Sequence, residues 1–210
     1  MTPKKLDERK KRGRKILARL KKLFPEAGMI LKYKNGWELL VAVELSAQCT
    51  DRQVNKVTEN LFKKYRYIDD YARVKQAEFE KDIYATGFYR NKAKNIIAAA
   101  KYLAKYHKRR LPKTMAEMVK IPGVGRKTAN VVLGNAYGVV EGIAVDTHVI
   151  RLAQVLHLTD EKTPEKIEKD LMEIFPKKEW FRLTYLLIEY GRKYCTARKH
   201  DHAKCPLAKI

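Results

Sequence analysis

A chain of 210 residues with 46 lysines and arginines against 24 acids carries a formal net charge of +22 and a pI near 9.9. That length suits one large domain or two small lobes around a real core, and that charge points to a polyanion, nucleic acid ahead of an anionic membrane surface. No run approaches the ~18 uninterrupted apolar residues of a membrane span, the N-terminus lacks the apolar core of a signal peptide, and three cysteines (Cys49, Cys195, Cys205) set up no disulfide framework. A reducing, cytoplasmic and nucleoid-associated setting is therefore expected.

In chain order, the opening "MTPKKLDERKKRGRKILARLKKLF" reads as a basic helix, either solvated or laid against phosphates. "NGWELLVAVELSAQCT" (35–50) is apolar and too long for an ordinary strand. Apolar residues recur at helical spacing in "QVNKVTENLFKKY" (53–65), "NKAKNIIAAAKYLAKY" (91–106) and "TMAEMVKI" (114–121). "DTHVIRLAQVL" (146–156), "PEKIEKDLMEIF" (164–175) and "EWFRLTYLLIEYGRKYC" (179–195) follow the same rule. Pro112, Pro122, Pro164 and Pro176 sit at helix starts or turns. Only "GVVEGIAV" (138–145) admits a locally extended reading. The fold class is all-α with short connections.

Two turns echo one another. "TGFYRNKAKNII" (86–97) and "PGVGRKTANVV" (122–132) each pass from a glycine through an arginine into an apolar helical run. In the second, Pro122 fixes one φ, while Gly123 and Gly125 permit backbone that other residues resist. A helix begins at about Arg126, so bare amides meet a helix N-terminus, a natural site for a phosphate. A ligand-free helix–helix turn is the plain alternative, and the +22 charge favours phosphate.

The stretches "LSAQCTDRQVNKVT", "GFYRNKAKNI", "LPKTMAEMVKIPGVGRKTANVVLGNA" and "IAVDTHVIRL" resemble, in order and spacing, the endonuclease III family of DNA glycosylases, within the helix-hairpin-helix superfamily. The resemblance runs from about Leu31 to Cys205. It implies two all-helical lobes with DNA across the cleft between them. Residues 29–140 would form a six-helix lobe with its hairpin at about 115–132. Residues 1–28 and 141–210 would form the second lobe, ending in a loop over 195–210.

The family's catalytic pair falls on Lys127 and Asp146. Cleaving an N-glycosidic bond builds positive charge on the sugar, which a carboxylate at a helix N-terminus stabilises. A lysine attacks only as the neutral amine, which burial, the adjacent Arg126 and a helix N-terminus favour. Attack at C1′ displaces the base and leaves a Schiff base that permits β-elimination, so one lysine serves a glycosylase and an abasic-site lyase. A sister group resembling this fold, the adenine-mismatch glycosylases, lacks the hairpin lysine. Alone, Lys127 reads as a phosphate contact and Asp146 as a helix cap.

The resemblance also implies a DNA-binding set. Gly123, Val124, Gly125, Arg126 and Thr128 line the hairpin. Gln48 fills the space left by a flipped base, and Phe88 is an apolar wedge, with a core aromatic as its alternative. His148 contacts phosphate or packs at its helix start. Glu44 interrupts an apolar run, and an acid there needs a partner or the solvent. Asp51 lies near the pocket in family terms.

At the C-terminus the chain departs from the family pattern, a [4Fe–4S] cluster held by cysteines spaced C-x6-C-x2-C-x5-C. Counting from Cys195, the second position is His202, the third is Cys205 and the fourth lies beyond Ile210. The cluster is expected to be absent and no cofactor to be required; zinc at Cys195, His200, His202 and Cys205 is the alternative. The expected activity is excision of oxidised pyrimidines from damaged or abasic double-stranded DNA by a monomer. A thymine- or uracil-excising mismatch glycosylase and a non-catalytic DNA-binding protein are the other readings.

Overall fold

The computed structural model describes residues 2–210. They form eleven α-helices joined by loops and two short 3-10 turns, with no strand among the described residues. The stretch 138–145, which sequence left open to an extended segment, is irregular loop. The chain divides into two helical units, Ile30–Val139 and, together, residues 2–29 and Val140–Ile210.

The middle unit holds six helices and the single helical turn α7: α2 (Gly36–Leu45), α3 (Asp51–Lys64), α4 (Ile68–Arg73), α5 (Gln76–Ile83), α6 (Tyr89–Tyr106), α7 (Met115–Met118) and α8 (Arg126–Tyr137). Helix α2 starts at Asn35, whose side chain accepts from Glu38 N at 2.9 Å, and Glu38 Oε2 in turn accepts from Lys34 N at 2.6 Å. It is buried almost all round, which explains its lack of a polar face. Helix α8 packs on α2, and α4 and α5 pack on α6. Tyr65, Tyr71, Phe79 and Trp37 form an aromatic cluster with ring centroids 5.2 to 5.7 Å apart.

The other unit contains α1 (Pro3–Leu23), α9 (Thr147–Val155), α10 (Pro164–Ile174) and α11 (Lys177–Lys193). Ile16, Leu20, Val149, Leu152, Leu171, Leu183 and Leu187 are among its buried residues. Helix α1 is basic but not merely solvated. Gly13 lies so close to α10 that a Cβ there would stand 2.7 Å from Ile174 Cγ2. Arg9 is buried and reaches Asp160 at 2.8 Å and Asp170 at 3.6 Å; Lys21 meets Glu179 at 2.7 Å. Part of the basic charge therefore holds the helix in place rather than facing a ligand.

Candidate DNA-processing site

The hairpin runs from α7 through a turn at 119–125 into α8. Val124 is buried, its amide donating to Ile121 O at 3.0 Å, so its side chain anchors the turn from inside. Gly123 has φ +81, and a Cβ there would fall 2.8 Å from Cβ of Asn95 on α6. Gly125 differs: its φ of −85 suits any residue, and nothing lies within 4 Å of where its Cβ would be. It stands at the N-cap position of α8 without any side-chain cap. The turn thus presents open space directly before a helix N-terminus, the geometry that accepts an anion.

Arg126, Lys127 and Thr128 form the first turn of α8. Lys127 is exposed, which corrects the burial that sequence reasoning invoked for it. Arg126 is also exposed and Thr128 half-buried. Asp146 is the N-cap of α9: its Oδ1 accepts from Val149 N at 2.9 Å. The cap is real, and it holds the carboxylate at a fixed place. His148 is half-buried and packs on α11, its Nδ1 standing 2.7 Å from where a Cβ at Gly191 would be.

Gln48 and Phe88 share an unusual backbone. Gln48 follows α2 at φ 52 and Phe88 precedes α6 at φ 47, both left-handed and both exposed. Phe88 is 62% exposed, so it is not a core aromatic. A left-handed aromatic held out in water costs conformational energy and leaves apolar surface wet, a combination typical of functional positions. Sequence reasoning missed what ties these two loops together. Lys92 is buried, and its Nζ donates to Leu45 O and Thr86 O, both at 2.8 Å. Burial pulls its amine below the usual lysine range. The signal was a lysine on the apolar face of α6, one turn ahead of Ile96. Glu44 finds its partner in Asn95, whose Nδ2 donates to Glu44 Oε1 at 2.9 Å. Asp51 begins α3.

Residues 41–177 match the family model described as "HhH-GPD superfamily base excision DNA repair protein". Endonuclease III of Synechocystis sp. is 45% identical over 206 residues, covering 98% of this chain and 94% of its own. The chain belongs to the endonuclease III family. Among solved structures, a trapped endonuclease III–DNA covalent intermediate is similar at TM-score 0.89 and 46% identity, covering 94% of this chain and 93% of that one. A thermostable thymine-DNA glycosylase is similar at TM-score 0.81 but 20% identity, covering 96% and 95%, a likeness of fold alone. Membership makes this endonuclease III relative a base excision repair enzyme, a DNA glycosylase and abasic-site lyase. None of its described helices is long and apolar enough to cross a membrane.

Cys195, His200, His202 and Cys205 lie together, each offering one donor atom within 4.8 Å of the others, a group able to hold a metal. Burial pushes the Cys205 thiol up. An iron–sulfur cube takes four thiolates, one on each iron. Two thiols and two imidazoles drawn this closely together do not fit it.

Proposed function

We propose that the chain removes oxidised pyrimidines from duplex DNA, with Lys127 as the nucleophile and Asp146 as the catalytic carboxylate. The observation that carries this reading is the hairpin, which delivers an exposed Lys127 in the first turn of α8, two residues from the open face of Gly125. DNA is the partner. Amides at the turn and helix start receive a backbone phosphate, and the missing side chain at Gly125 lets that phosphate come within hydrogen-bond range.

The neutral Nζ attacks C1′ of the damaged nucleotide. The glycosidic bond breaks, its electron pair leaves with the base, and the base takes up a proton. Asp146 supplies the carboxylate that stabilises the positive charge developing on the sugar. The sugar ring then opens to a Schiff base between Nζ and C1′. Loss of a C2′ proton expels the 3′ phosphate, and water releases the lysine. Gln48 and Phe88 occupy the space from which the base has been flipped, Phe88 by stacking. No step passes through a metal. His148, packed on α11, acts as a support for the Asp146 helix start.

The endonuclease III relatives and the hairpin lysine together favour this reading over a mismatch glycosylase or a non-catalytic binder. Duplexes carrying one 5,6-oxidised pyrimidine, one G·T pair or one G·U pair test it. Free base and a nicked strand are expected from the oxidised duplex. Excision confined to the mismatched duplexes, or binding with no product from any, would contradict it.

A further inference from the structure

We infer that Cys195, His200, His202 and Cys205 form a tetrahedral site for a single zinc ion, in place of an iron–sulfur cluster. Zinc bonded at about 2.3 Å to sulfur and about 2.0–2.1 Å to nitrogen places neighbouring donors roughly 3.3–3.8 Å apart. Two of the sulfur–nitrogen separations already lie there: Cys195 Sγ to His202 Nδ1 is 3.5 Å, and Cys205 Sγ to His200 Nε2 is 3.4 Å. The imidazoles tilt together with centroids 4.2 Å apart, and the remaining donor pairs lie within 4.8 Å. Small side-chain rotations close the tetrahedron.

The surroundings orient these groups as ligands. His200 Nδ1 stands 2.8 Å from Arg198 O, so the hydrogen on Nδ1 is donated to that carbonyl and Nε2 keeps its lone pair toward Cys205. Arg151 Nη1 approaches Cys195 Sγ at 3.5 Å while Nη2 donates to Cys195 O, fixing that cysteine at the end of α11. His200 and His202 come from the short run 198–205, closed by Asp201 Oδ1 accepting from Ala203 N at 3.0 Å. Two thiolates balance the ion's charge. The metal would join the end of α11 to a loop otherwise held by Leu207, which is buried and whose amide donates to Tyr190 Oη at 3.3 Å. Binding releases the thiol protons, so affinity weakens in acid.

The test uses the full chain stripped of metal under reducing conditions and titrated with Co2+, then with Zn2+. One Co2+ per chain is expected, with the intense ligand-field and thiolate charge-transfer absorption of a tetrahedral site, displaced stoichiometrically by Zn2+. Zinc should also raise the melting temperature. His200→Ala removes a ligand outside the core and should weaken binding by more than the roughly 10–100-fold typical of losing an outer-shell partner, while helical circular dichroism is retained. His202→Cys should keep a tetrahedral site with a stronger thiolate band. No cobalt spectrum, an octahedral one, or binding indifferent to His200→Ala would overturn the inference, leaving two thiol–imidazole hydrogen bonds. A four-iron absorbance in the protein as isolated would also overturn it.

Discussion

Gly123 and Gly125 stand two residues apart and meet different demands. Gly123 sits in left-handed backbone against Asn95, where a side chain has neither the conformation nor the room. Gly125 sits in ordinary extended backbone facing open space, so the folded protein does not require glycine there. Gly123→Ala should therefore destabilise the chain by at least the ~1–2 kcal/mol cost of a left-handed L-residue, more if Asn95 cannot withdraw from Glu44. Gly125→Ala should change stability little, because the unfolded-state gain of about 0.4–1 kcal/mol is offset by alanine's poorer fit at a helix N-cap, yet weaken DNA binding. Chemical denaturation and a fluorescence binding titration of both variants check this. Equal destabilisation by both, or unchanged DNA affinity of Gly125→Ala, would contradict it. Both glycines were visible in the sequence as turn formers. Their division was not, because it depends on a neighbour 28 positions away in the chain.

At the scale of elements, long helices were legible and short ones were not. Helices α3, α6, α9, α10 and α11 lie within a few residues of the periodic runs that announced them. Helices α4 and α5, of six and eight residues, each bury only two residues, Ile68 with Tyr71 and Phe79 with Ile83. One to two turns are too few to display a 3.6-residue period. The predicted helix 114–121 shrinks to the single turn Met115–Met118, since the chain must leave it to make the hairpin. Lys92 is the feature that pattern reading passes over, a polar atom bonded to the last carbonyl of α2 and to Thr86 O before α6. Lys92→Met keeps the stem but leaves Leu45 O and Thr86 O without this donor. An unsatisfied buried acceptor costs about 1–3 kcal/mol, so denaturation should show a loss on the order of 2–5 kcal/mol. Base excision should fall further than cleavage at a preformed abasic site, because the loops that carry Gln48 and Phe88 lose their shared tie. A variant as stable as wild type with unchanged excision would show that Lys92 is incidental.

For the whole molecule, the all-helical class followed from periodicity, and the polyanion from the net charge of +22. How that charge is divided did not follow. Arg9 and Lys21 are used inside their own unit, while Arg126 and Lys127 stand exposed at the start of α8. The hairpin was legible because turn chemistry is local: a proline, two glycines and a basic pair at a helix start. The C-terminal group was legible as two cysteines and two histidines in one short stretch, able to hold zinc. Spacing along the chain does not reveal that their donor atoms converge. The central claim is that Lys127 bonds covalently to the abasic sugar. Borohydride reduction during turnover of duplex DNA with one abasic site, followed by mass mapping of the cross-linked peptide, tests it most directly. The account predicts one stable protein–DNA adduct located at Lys127, and none with Lys127→Gln although that variant still binds DNA. Trapping by Lys127→Gln at the wild-type rate, or an adduct on another amine, would contradict it.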